Sequence, residues 1–290
     1  MAWPFPLGRP ARMAVLASGR GTNLMALLQA FPPGNPLGEV VLVLSDNPEA
    51  LALKRAREGG VEAVALPWRG RRAFEGEALA RLEAKGVDVV LLAGFMRLLS
   101  PGFVERWYGR LLNIHPSLLP AYPGLHVHRR VLEAGEKETG STVHFVDQGM
   151  DTGPIVLQGR VPILPGDREE EVEARVLRLE HWLYPRAVRL LLLGLARPPE
   201  AFGGLREALY ALTPGERALW ARALSALALW GREDLWPEAL GPSRNPWVRG
   251  ALLLAHLLAA PHLPLEEELA ALPEVGEAAL ALWKRVESPL

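Results

Sequence analysis

The sequence predicts an α/β fold followed by a small all-α domain, and three observations carry that prediction. Short apolar runs alternate with amphipathic helical patterns through the first two-thirds of the chain. The runs are apolar at consecutive positions, as strands covered on both faces are, and buried strands separated by helices form a parallel sheet. The strand patterns then stop after "GLARPPEAFGG", a Pro/Gly-rich stretch suited to a linker.

Taken in order, "MAVLAS" is a strand before the helix "TNLMALLQAF". "EVVLVLSDN" is a strand before "PEALALKRAREGG", and "VDVVLLAG" one before "MRLLSPGFVERWYGR". "RLLNIHPS" is the next strand, and "STVHFVD" and "GPIVLQGRVPI" are later ones before a helix from about Glu169 to Leu193. Beyond the linker, Thr213 and Glu216 stand at capping-box spacing around Pro214, and Asn245-Pro246 starts a second helix the same way. The boundaries read as an N-terminal extension over 1–11, an α/β domain over 12–198 and a helical domain over 199–290.

Composition narrows the functions. The formal net charge is −1, which lacks the basic footprint of a general nucleic-acid or membrane-surface binder and leaves a small anionic ligand open. The absence of cysteine excludes disulfides, thiolate catalysis and Cys-based zinc sites. "MAWPFPLGRPAR" has no apolar core and reads as a disordered extension, and "GALLLAHLLAAP" is too short to span a bilayer. A cytoplasmic protein is expected.

Three constellations can carry chemistry. In "LASGRGTNLMALL" a glycine loop joins the first strand to the first helix, where backbone N–H groups, the Thr22 hydroxyl and the Asn23 side chain suit a phosphate or another anion. Gly19 and Gly21 fit part of the dinucleotide pattern G-x-G-x-x-G, with Asp46 as a ribose-binding acid, but Leu24 stands at the third glycine position. The Walker A pattern fails for lack of its lysine, and an ordinary capped turn is the plain alternative.

Asn113 and His115 stand two apart at the carboxyl end of an inferred strand, so they share a face where open α/β sheets place ligands. An amide beside an imidazole can hold a developing oxyanion, and the imidazole can pass a proton to a leaving nitrogen. The alternative is a hydrogen-bonded strand end before Pro116. In "VDQGMDTGP", Asp147 and Asp151 follow the strand that carries His144. A carboxylate close to His115 would favour its protonated form, whereas most aspartates in such loops cap turns.

Together "SGRGTNL", "LAGFMRLLSP", "LLNIHPSLLPAYPGLH", "TGSTVHFVDQGMDTGPI" and "RVLRLEHWLYP" resemble the phosphoribosylglycinamide formyltransferases over about residues 12 to 197. The resemblance implies a mostly parallel seven-stranded sheet with helices on both faces. It places the catalytic triad on Asn113, His115 and Asp151, and the substrate phosphate on Gly21, Thr22 and Asn23. It sets Glu180 near the glycinamide amine with the Gly94 backbone beside it. Met96, Arg97, Leu98 and Leu99 are implied to line the folate pocket, joined by Arg71 and the loop of Asp147, Gln148, Gly149, Met150 and Asp151. The implied co-substrate is 10-formyltetrahydrofolate, with no metal, and the implied partners are small-molecule substrates, with no nucleic acid and no membrane.

Formyltetrahydrofolate hydrolases share the triad but usually carry an N-terminal regulatory domain, for which 11 residues leave no room. Methionyl-tRNA formyltransferases add a β-barrel, whereas residues 199–290 read as helical. A folate- or nucleotide-binding protein without turnover is a reading of a different class, which the intact triad opposes. The helical tail departs from the family pattern and reads as a homo-oligomerisation or protein-contact module, or else as an appendage packed on its own α/β domain.

Overall fold

The computed structural model describes residues 4, 5, 7–192 and 196, and the helical domain read over 199–290 lies outside them. Seven strands form one sheet in the order β3-β2-β1-β4-β5-β6-β7. The strands are β1 (Ala11–Leu16), β2 (Gly38–Ser45), β3 (Glu62–Ala65), β4 (Val89–Leu92), β5 (Leu111–His115), β6 (Glu138–Phe145) and β7 (Ile155–Pro162). The first five are parallel, and β6 runs antiparallel to both β5 and β7.

The uninterrupted apolar runs follow from two cores, one on each face of the sheet. Met13 and Val15 of β1 join one core, with Leu24 and Leu27 of α1 (Thr22–Ala30), Leu53 of α2 (Leu51–Glu58) and Leu183 to Leu192 of α6 (Glu169–Leu192). Ala14 and Leu16 point the other way, into a core with Phe74 of α3 (Arg71–Ala84) and Phe103 and Trp107 of α4 (Pro101–Trp107). Alternate residues of one strand are therefore buried on opposite faces, which removes the polar positions that mark a half-exposed strand.

Several elements differ from the sequence reading. The strand β3 is four residues at the sheet edge with Glu62 exposed, too short and too polar to register as an apolar run. Helix α3 opens on Arg71 and Arg72, cations at the positive end of the helix dipole, and so lacks the usual start signal. The short helix α5 (Val127–Glu133) has only Val127 and Val131 buried. Helix α4 starts at Pro101 rather than near Met96, because the Ser100 hydroxyl caps it by accepting from Phe103 N–H and Pro101 takes the first turn. The described part of the N-terminal extension is packed: Phe5 is 3% exposed within the first core, and Arg9 makes two 2.8 Å hydrogen bonds to the Asp88 carboxylate.

The topology positions the site. After β1 the chain winds outward through β2 and β3, then returns so that β4 pairs with the other side of β1. The loops leaving the carboxyl ends of β1 and β4 therefore diverge, and open α/β sheets bind ligands in such a crevice. Two hydrogen bonds tie these loops together: Ser18 N–H donates to the Gly94 carbonyl at 3.1 Å, and Met96 N–H to the Ser18 hydroxyl at 2.9 Å. Buried Tyr184 donates to the carbonyls of Leu92, at 2.9 Å, and Leu112, at 3.2 Å, which fixes α6 against the ends of β4 and β5.

Candidate active site

The glycine loop ends at Gly21, which is left-handed (φ 72°) and caps α1 without a side-chain hydrogen bond. A Cβ on Gly21 would lie 2.7 Å from the Ala52 Cα, so both the backbone angle and the close approach to α2 require glycine. No acidic residue occupies the first turn of α1, so no carboxylate there opposes an anion at its N-terminal amides. Thr22 is half-buried at the first helical position, and Asn23 is buried. Asp46, the alternative ribose acid, is instead paired with Arg97, whose Nε lies 2.6 Å from Oδ2.

Asn113 and His115 lie at the carboxyl end of β5 and face the antiparallel β6, where Asn113 stands opposite His144. His115 Nε2–H donates to the Tyr122 carbonyl at 2.9 Å, and Nδ1 lies 3.4 Å from Asp151 Oδ2. Both partners are acceptors. Asp151 is held in the left-handed region (φ 55°), and its Oδ2 accepts from Gly124 N–H at 2.9 Å. Asp147, by contrast, closes its own turn by accepting from Gly149 N–H and the Thr152 hydroxyl. The three residues Asn113, His115 and Asp151, distant in sequence, are thus brought together.

His144 is a site residue that the sequence reading left without a role. Its Nδ1–H donates to the Phe145 carbonyl at 2.9 Å, which leaves Nε2 as an acceptor 3.3 Å from the Asn113 amide nitrogen. Burial holds its pKa below the usual value, against the opposing pull of the Phe145 carbonyl and the Asp151 charge. A neutral His144 therefore orients the Asn113 amide as a donor. Only the strand register, which sets His144 opposite Asn113, reveals this.

Glu180 on α6 is buried beside the same crevice, one turn before Tyr184. Its Oε2 accepts from the Asn23 amide at 2.9 Å, and its Oε1 lies 3.1 Å from the Ser141 hydroxyl, which in turn lies 2.8 Å from the His115 carbonyl. Burial pushes the Glu180 pKa up to about 7, opposed by the bonds from Asn23 and Ser141. Once protonated, Glu180 can donate to Ser141 while Ser141 donates to His115, and the chain is satisfied. The folded carboxyl keeps its proton to higher pH than the unfolded one, so its stabilising contribution is complete below 4.5 and is lost as pH rises through about 7. Thermal melts of the ligand-free protein should fall over that window, and Glu180→Gln should flatten the fall. An unchanged slope in the variant would remove Glu180 as its source.

The residues assigned to a folate pocket fall into two groups. Met96 and Leu98 are exposed apolar side chains, at 71% and 57%, on the loop after β4, and Gln148, Gly149 and Met150 are exposed on the loop before Asp151. Their apolar surface is unused by the fold. Arg97 stacks on Trp68 with its guanidinium carbon 4.8 Å from the ring centroid, and Arg71 is exposed at the start of α3. Leu99 is buried in the second core.

The family model described as Formyl transferase matches residues 11–188. A Drosophila melanogaster protein named trifunctional purine biosynthetic protein adenosine-3 is 49% identical over 193 residues, which cover 65% of this chain but 14% of that protein. The phosphoribosylglycinamide formyltransferase of Escherichia coli is 46% identical over 179 residues, covering 61% of this chain and 84% of the relative. Among solved structures, glycinamide ribonucleotide transformylase 1 from Symbiobacterium toebii superposes with a TM-score of 0.61 at 46% identity, covering 64% of this chain and 90% of that one. With the matched span running from β1 into α6 and containing every residue of the triad, this chain belongs to the formyl transferase family.

Proposed function

We propose that the chain transfers the formyl group of 10-formyltetrahydrofolate to the amine of 5-phosphoribosylglycinamide, a step of purine biosynthesis. The observation that carries this reading is the convergence of Asn113, His115 and Asp151 at the end of β5, with Glu180 joined to His115 through Ser141. The relatives named above supply the choice of substrates. The amine nitrogen attacks the formyl carbon, and the carbonyl electron pair moves onto oxygen. The Asn113 amide, set by His144, donates to that oxyanion, and His115 Nδ1–H, only 3.4 Å from Asp151, is shared between Asp151 and the oxyanion while Nε2–H stays on the Tyr122 carbonyl. Asp151 holds the His115 ring and helps carry a proton from the attacking amine toward N10 through water. The pair returns, the C–N10 bond breaks, and tetrahydrofolate leaves. Glu180 receives the amine end of the acceptor, the glycine loop its phosphate, and Met96, Leu98 and Met150 the folate. Reaction by this route needs neither metal nor a covalent enzyme intermediate. All of these groups precede residue 199, which makes 12–198 the proposed catalytic unit, and the setting is read as cytoplasmic.

Folate consumption with and without acceptor, followed by mass analysis of the product, tests this reading. Consumption should depend strongly on phosphoribosylglycinamide, because a phosphate anchored at a helix N-terminus turns an encounter into a positioned attack. Equal rates without acceptor, with free formate as product, would instead make the chain a hydrolase.

A further inference from the structure

We infer that Arg20 supplies the cationic contact for the acceptor's phosphate, with Glu173 holding its guanidinium in place. This rests on the acceptor reading above and names a residue that reading does not use. Arg20 sits in the glycine loop between Gly19 and Gly21, immediately before the uncapped start of α1. Its Nη2 donates to Glu173 Oε1 at 2.6 Å, which ties the loop to α6. Glu173 lies seven residues, or two turns, before Glu180 on that helix, so the two carboxylates share a face. One stands at the amine end of the crevice, and the other beside the loop.

Asn23 separates the roles. It is 8% exposed, one of its amide hydrogens is given to Glu180, and its Oδ1 has no hydrogen-bond partner. A buried acceptor without a partner calls for a donor from a ligand. A phosphate dianion has none to give, whereas a ribose hydroxyl or an amide N–H does. Asn23 thus faces the middle of the acceptor, and the phosphate is left to the α1 amides and to a cation. A bare Glu173 carboxylate beside that phosphate would repel it. The guanidinium offers five donors in a planar fork, of which Glu173 uses one, so it can bridge carboxylate and phosphate together. The pair is largely exposed and contributes little to folding, which frees Arg20 for binding.

Steady-state kinetics of Arg20→Ala and Arg20→Lys with the phosphorylated and the dephosphorylated acceptor test the assignment. Losing one charge-assisted contact should raise KM for phosphoribosylglycinamide about 10- to 100-fold. The kcat and the folate KM should stay within about threefold. With the dephosphorylated acceptor, Arg20→Ala should match the wild type, and Arg20→Lys should recover part of the loss, because it keeps the charge without the fork. Inorganic phosphate should inhibit the wild type competitively and Arg20→Ala far more weakly. An unchanged KM, or an equal rise for both acceptors, overturns the assignment. So does a KM rise confined to Arg55→Ala, Arg186→Ala or Arg189→Ala, since these three cations line a groove with Thr22. A wild type that formylates neither acceptor instead removes the reaction reading itself.

Discussion

His115→Asn should lower kcat by roughly two to four decades, with much smaller changes in either KM. The ring contributes twice in the proposed reaction, stabilising the oxyanion and passing a proton, and both contributions grow toward the transition state. An interaction made mainly there is lost from kcat rather than from binding. The fold should tolerate the change: His115 ends β5, an asparagine amide can take the Nδ1 position beside Asp151, and the Tyr122 carbonyl that now receives Nε2–H is left to water. Single-turnover rates at saturating substrates, with a melt to show that the variant folds, give the comparison. A variant that turns over within threefold of the wild type would take His115 out of the chemistry.

How much of this was legible in the sequence varies by element. The strands β1, β2, β4 and β5 could be read because each is buried on both faces and leaves a continuous apolar run. Edge strand β3 and helices α3 and α5 were missed, since short or polar segments with few buried positions carry little periodicity. Asn113 and His115 could be paired from their spacing, because strand geometry puts alternate residues on one face. Asp151 could not be chosen over Asp147 from the residues alone, as both lie in a turn-rich loop. The structure separates them by hydrogen bonding, with Asp147 consumed by its own turn and Asp151 facing His115. The contact of His144 with Asn113 and the joining of Asn23 to Glu180 depend on register and helix packing across 31 and 157 residues. Local sequence has no means of encoding either visibly.

Asp151→Asn should lower kcat by about one to three decades while leaving both KM values within a fewfold. The substitution is nearly isosteric and tests charge and hydrogen bonding more than shape. Asparagine is also among the few residues at ease with the left-handed backbone found here, φ 55°, and its Oδ1 can still accept from Gly124 N–H. With Oδ1 so engaged, Nδ2 takes the place of the other carboxylate oxygen. The group that contacts His115 at 3.4 Å is Oδ2, the same atom that accepts from Gly124, so an amide oxygen in its place keeps both contacts and an amide nitrogen there gives up the bond from Gly124. If Nδ2 turns to the ring, Nδ1 must accept instead of donate, and the imidazole is set in a tautomer that cannot pass a proton from that nitrogen. If Oδ1 stays there, the ring keeps its orientation but loses its anionic partner. Either arrangement slows proton transfer without closing the substrate pockets. Nitrogen-15 NMR of the His115 ring distinguishes the two, and a variant with wild-type kcat would show that Asp151 neither orients nor charges the catalytic imidazole.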